Sequence, residues 1–290
     1  MSYADLFSTA NPLVGYRDTK DPVVTVFGVP YDGTTSYRPG TRFGPNAIRE
    51  AFMNCEVYSK HFDIDVEKVP IRDLGNLGKV NAAEQMVGVV TKVAGELFKS
   101  KSAFCMLGGE HFLTLGSYRM APAETALVAF DAHFGLREEW ESSVYSDACY
   151  LKRVIDAVDP SHVAHIGGRA AAAEEWRLSE KLGYVASPER AETTAGLGAF
   201  RGFCSKFDRV YVSIDIDCLD PAYAPGTGAL EAGGLSPTTV IDYIYSLSGK
   251  NVVAFDIMEV SPHYDTGTTA VVAARFMNEL IALIASRRGR

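Results

Sequence analysis

Short runs of β-branched and apolar residues recur along the chain: residues 23–29 (VVTVFGV), 103–107 (AFCML), 126–130 (ALVAF), 162–166 (HVAHI), 210–216 (VYVSIDI) and 252–257 (VVAFDI). Most are apolar at successive positions, the pattern of strands buried on both faces of a parallel sheet. Between them stand stretches with helical spacing: FGPNAIREAF with an early proline, NAAEQMVGVVTKVAGELFKS, DACYLKRVIDAV, SPTTVIDYIYSL with a Ser-Pro start, and TTAVVAARFMNELIALIAS. Strands alternating with helices predict an α/β chain whose central, mostly parallel sheet is covered on both faces. No repeat, low-complexity tract or Pro/Ser-rich linker breaks the pattern, so residues 1–290 are read as a single domain.

Composition narrows the partners. A net charge of -8 opposes binding to nucleic acid, which needs a clustered surplus of Lys and Arg. The one basic cluster, Arg287, Arg288 and Arg290, reads as a solvated tail. Cys55, Cys105, Cys149, Cys204 and Cys218 form no C-x-x-C pair, and their odd number opposes a complete disulfide framework; reduced thiols and a cytoplasmic setting are expected. Residues 1–18 lack the basic start and apolar run of a signal peptide, and no stretch is read as approaching the roughly 20 apolar residues of a spanning helix, so no membrane partner is expected.

Chemistry gathers where strands end. GGEH follows the second run and places His111 there; DAH follows the third with Asp131 and His133; DIDCLDP closes the fifth with Asp215 and Asp217; MEVSPHYD follows the last with Glu259, His263 and Asp265. Side chains of an extended segment alternate with period two, so Asp131 and His133 share a side, as do Asp215 and Asp217. Each cluster alone reads equally as helix caps and turn closures. Together they bring carboxylates and imidazoles to one sheet edge, where buried carboxylates need cations between them. Mixed imidazole and carboxylate donors without thiolate suit Mn²⁺, with Zn²⁺, Co²⁺ or Ni²⁺ as alternatives. Cys218 points away from the Asp217 side and reads as a core residue. Neither a dinucleotide nor a Walker glycine motif follows a strand.

These residues, in this order, resemble the ureohydrolases: arginases, agmatinases and related guanidino hydrolases. The resemblance runs through GVPYDGTTSYRPGTRFGPNAIREAF, LGGEH, FDAH, SIDIDCLDPAYAPGTG, LEAGGLS and DIMEVSPHYD, and the first segment is most similar to agmatinases. It implies a three-layer α/β/α fold, a homo-oligomer (trimer or hexamer), two Mn²⁺ per chain, and a small cationic guanidine as substrate. The implied reaction cleaves a guanidinium group to urea and an amine, agmatine giving putrescine, with a metal-activated water. By the same resemblance, His111 belongs to one metal, His133 and Asp217 to the other, and Asp131 and Asp215 bridge them; Glu259 holds the guanidinium.

The departures are as specific. Where the family motif D-A-H-x-D places a second aspartate on the first metal, this chain has Gly135. A family histidine further on is matched by Asp147, and the small hydroxyl residue after His111 by Phe112, whose ring is expected to narrow the site. Loss of the carboxylate at 135 should weaken the His111-side metal unless Glu110, Glu138, Glu139 or Asp147 takes its place. The alternative is a noncatalytic guanidine-binding or structural subunit. Tyr145, Tyr150, Glu174 and Glu175 are left unassigned.

Overall fold

Every apolar run read as a strand is one. The computed structural model describes residues 2–8, 13, 21–100 and 102–288, so Arg290 of the basic tail lies outside the described residues. In chain order the strands are β1 Phe7–Ser8, β2 Val24–Gly28, β3 Tyr58–Ser59, β4 Ile64–Asp65, β5 Ile71–Leu77, β6 Ala103–Leu107, β7 Thr125–Phe130, β8 Val163–Ile166, β9 Tyr184–Ala186, β10 Arg209–Asp215 and β11 Asn251–Met258. Apart from the small β3–β4 ribbon, they form a nine-stranded sheet in the order β1-β5-β2-β6-β11-β10-β7-β8-β9. Its pairs are parallel except for the β1–β5 edge.

The helices are α1 Gly44–Asn54, α2 Ala83–Leu97, α3 Thr114–Tyr118, α4 Tyr150–Ile155, α5 Ala173–Ser179, α6 Pro188–Ala191, α7 Thr194–Cys204, α8 Pro237–Ser246 and α9 Thr268–Arg288. Period-two alternation divides the strand residues between two cores. Val26, Cys105, Val128 and Val212 pack on one face with Ile48 of α1, Ile244 of α8 and Leu280 of α9. Phe27, Met106, Leu127 and Tyr211 pack on the other with Val90 of α2, Leu115 of α3 and Leu151 of α4. The result is the three-layer α/β/α arrangement expected.

One reading is corrected here. Helix α9 is 21 residues long and apolar enough, by length and composition, to cross a membrane, although no such stretch was read from the sequence. Its most apolar window is 78% buried within the fold, against α1 and β11, which is the setting of a core helix.

The chain leaves β6, places β7 beyond a gap of two strands, and later fills that gap with β10 and β11. Strand order reverses at that gap, and the crevice beyond the carboxyl ends of the strands there is where open α/β sheets bind ligands. The four adjacent strands β6, β11, β10 and β7 end in the four polar clusters.

Candidate metal centre

His111 lies in the short turn after β6 and is fully buried. Its Nδ1 is 2.9 Å from Asp131 Oδ2 and 3.1 Å from Asp215 Oδ2. These separations are within ion-pair range, yet the alignment gives Nδ1 no hydrogen-bond partner. Nε2 meets Ser213 Oγ at 2.9 Å, and that hydroxyl donates to Asp256 Oδ1 at 2.6 Å, so Ser213 has only a lone pair to offer and Nε2 carries the proton. Asp256 is fixed further by Thr114 Oγ1 and the Tyr211 hydroxyl, at 2.9 and 2.7 Å. Burial opposes a proton on this ring, but Asp131 beside Nδ1 raises its proton affinity above the ordinary value, and a cation between Nδ1 and the two carboxylates would take that proton's place.

On the other side, His133 Nδ1 is 2.9 Å from Asp217 Oδ2 and 3.7 Å from Asp131 Oδ1, while its Nε2 faces Glu231 at 3.7 Å. The backbone presets these carboxylates: Asp131 Oδ1 accepts from His133 N at 2.7 Å, Asp215 Oδ1 from Asp217 N at 2.9 Å, and Asp217 Oδ1 from Ala132 N at 3.0 Å. Two sets of ligand atoms are thus close enough to hold an ion each, His111 with Asp131 and Asp215, and Asp131 with His133 and Asp217. Asp131 belongs to both. Asp215 sits with His111 only.

Without cations the cluster is electrostatically tense. Burial, then the charges of Asp217 and Asp131, pushes Asp215 well above the usual carboxylate range. Burial works against the proton on His133, but Asp217, Asp131 and Glu231 carry it up to about 10. Burial also opposes ionisation of Asp217, yet the charge and hydrogen bond of His133 hold it down at about 2. The proton on His133 stands where a cation would serve the same carboxylates.

Glu259, at the end of β11, adopts a left-handed backbone with φ 63°, a strained conformation for a non-glycine residue. Its Oε1 accepts from His111 N at 2.8 Å. Burial, then Asp147 and Glu110, raises its carboxyl well above the ordinary value. Asp147 accepts from Phe112 N at 3.0 Å and is pushed up to about 6 by burial, against the pull of that amide and of His111. Asp131, His133, Asp147, Asp215, Asp217 and Glu259 open into a cavity of about 400 Å³. Its far walls include Thr35, Ser36, Arg137 and Glu231.

Several expectations change. Phe112 does not narrow the cavity; its ring packs edge-on against Tyr31 at 5.7 Å, in the core on the far side of His111. None of the four suggested substitutes joins the His111 set. Glu110 turns to Thr34 N at 2.7 Å and to the hydroxyls of Thr34 and Thr35; Glu138 pairs on the surface with Lys152 and Arg153; Glu139 is exposed. His263 meets Phe43 edge-on, and Asp265 caps α9 through Gly267 N and Thr269 N, so neither reaches the site. Cys218 is buried in the core as read.

Arg169 escaped the sequence reading, and Tyr150 was named there without a role. Arg169 donates to the carbonyls of Gly167, Asp217, Cys218, Leu219, Glu231 and Ala232, fixing the loop that carries Asp217 to the loop that carries Glu231. Tyr150, the first residue of α4, lies fully buried with its ring 4.1 Å from that of His111.

Residues 23–282 match the model of the arginase family. The agmatinase of Bacillus cereus is 32% identical over 294 residues, covering 97% of this chain and 98% of that protein. The agmatinase of Pyrococcus horikoshii is 34% identical over 272 residues, covering 92% and 94%. Among solved structures, the agmatine ureohydrolase of Thermoplasma volcanium superposes with a TM-score of 0.90 at 32% identity, covering 97% of each chain.

Proposed function

Because the chain belongs to the arginase family, we propose that it is an agmatinase-type hydrolase, converting agmatine and water to putrescine and urea with two Mn²⁺ ions held by His111, Asp131, His133, Asp215 and Asp217. The observation that carries this reading is the pair of adjoining His/Asp sets sharing Asp131 on the floor of an open cavity. Such ions, when bound, supply the acidification of a water molecule and the neutralisation of charge as the guanidine carbon becomes tetrahedral.

The chain's own groups supply the rest. Seven carboxylate side chains line the cavity against Arg137 and His133, a lining suited to a cationic substrate. Glu259 is steered by the His111 amide and receives the guanidinium through charge-assisted hydrogen bonds. Burial and its acidic neighbours raise its proton affinity, and a bound guanidinium would favour its ionised form. The departing amine needs a proton, and we assign its delivery to Asp147, which lines the cavity beside Glu259 and titrates at about 6. Glu231, 43% exposed at the mouth, suits the distal amine of agmatine. We read residues 1–290 as one ureohydrolase domain that assembles into a homo-oligomer, which sedimentation velocity tests.

Urea release is the decisive assay. Mn²⁺-dependent release from agmatine, lost in Glu259→Gln, is the expected result. No release from agmatine, arginine or 4-guanidinobutyrate at saturating Mn²⁺ would sink the reading.

A further inference from the structure

The two ligand sets are unequal, and the inequality is organised around Gly135. That residue has φ 63°. A Cβ placed on it would lie 2.7 Å from the Asp147 carbonyl oxygen and 2.7 and 2.8 Å from Tyr150 Cδ1 and Cε1. No ordinary side chain fits there, so a carboxylate cannot reach the His111 side from this position without rebuilding the wall.

The volume denied to residue 135 is filled by Tyr150. Its ring leans over His111 with an interplanar angle of 34°. Its hydroxyl is buried and has no hydrogen-bond partner. Asp131 and Asp215 are the carboxylates whose charge it feels most strongly. An unpaired buried hydroxyl is costly, and a phenylalanine would fill the same space without that cost. The adjacent His111 Nδ1 makes no aligned hydrogen bond, although it lies 2.9 and 3.1 Å from oxygens of Asp131 and Asp215. An unpartnered phenol beside an imidazole that itself faces two carboxylates is a donor set suited to a cation.

We propose that the phenol oxygen of Tyr150 is a ligand of the His111-side ion, replacing the carboxylate that position 135 cannot carry. That ion is then held by His111, Asp131, Asp215 and Tyr150, one nitrogen and three oxygen donors. The phenol proton passes to solvent as the ion binds, so ligation there releases a proton. The inference rests on the two-ion reading above, but its test needs no substrate.

Metal-stripped wild type and Tyr150→Phe are titrated with Mn²⁺, bound ions are counted by atomic emission after desalting, and the ultraviolet difference spectrum is followed for a phenolate signal. Wild type is expected to hold two ions and develop the signal; Tyr150→Phe is expected to keep one ion, bind the second at least about tenfold more weakly and lose the signal. Equal ion binding by the two proteins overturns the proposal, as does a wild type that binds one ion only. The wild-type spectrum decides by itself if the variant misfolds: two bound ions without a phenolate signal also overturn it. Urea release with no Tyr150 dependence of metal binding removes this inference and leaves the functional one standing. Two ions bound through Tyr150 in a chain that releases no urea does the reverse.

Discussion

The two sides of the centre are built on opposite terms. The His111 side chain is 1% exposed, with an aromatic ring over it and a buried carboxylate network behind it. The His133 side chain is 34% exposed and faces the cavity, backed by a glutamate at the mouth. The departure at residue 135 falls on the deep side, where packing can supply a substitute; the open side gathers Asp131, His133 and Asp217, while Asp215, expected to bridge, stands with the His111 set. The difference teaches that a missing ligand in a motif is a question about volume before it is a question about activity.

Asp131 is the group the two sides share, so Asp131→Ala should abolish the distinction. Both ions are expected to be lost, with urea release falling by about three orders of magnitude or more. Retention of one ion would mean that the sides are independent.

Asp256→Asn tests the deep side alone. The substitution disturbs the acceptor that fixes Ser213 and, through it, the His111 tautomer. The His111-side ion should bind about tenfold to a hundredfold more weakly, with the other unchanged, as resolved by calorimetry.

Gly135→Asp restores the family motif on paper. Here it should lower stability by about 1–3 kcal/mol and leave the ion count no higher, because the new Cβ meets Tyr150 and a backbone carbonyl and the backbone is left-handed. A higher melting temperature and tighter ion binding would show that the wall is free to move.

The smallest effect concerns pH on the open side. In chelator, His133 has a folded pKa of about 10, raised above its unfolded value, so its pairing with Asp217 contributes stability fully below about 6.5 and loses it as pH rises through 10. Asp217, depressed to about 2, contributes above about 3.8 and loses its contribution as pH falls through 2. The melting temperature of metal-free protein should decline from neutrality toward pH 10, and apparent Mn²⁺ affinity should rise over the same range as the His133 proton leaves. A metal affinity indifferent to pH would contradict this electrostatic account.

Much of this was legible from periodicity. Apolar runs gave the central strands, and alternation put Asp131 with His133 and Asp215 with Asp217. Strand β5 escaped because IRDLGNL carries Asp73 and Asn76, buried polar groups whose purpose is to hold Arg49 of α1, with Asp73 at 2.7 Å and Asn76 at 2.6 Å. Helix α7 escaped because Gly196, Gly198 and Gly202 blur its spacing. Ser213 and Asp256 lie inside apolar strands, where a hydropathy pattern treats them as interruptions. Arg169 acts on carbonyls, which no side-chain motif records. Tyr150 looks like any core aromatic until its neighbour at 135 is known to have no side chain.

The cavity mouth has a consequence for how the chain is made. Arg38 reaches the carbonyls of Thr227 and Gly228, at 2.8 and 3.1 Å, across 189 and 190 residues of sequence. A chain emerging from the ribosome completes β7 and displays Asp131 and His133 long before the partner of Arg38 exists. The entrance closes only when the loop of Arg38 meets the loop of Thr227 and Gly228, so an unfinished chain can present metal donors while lacking the chamber that would make them selective.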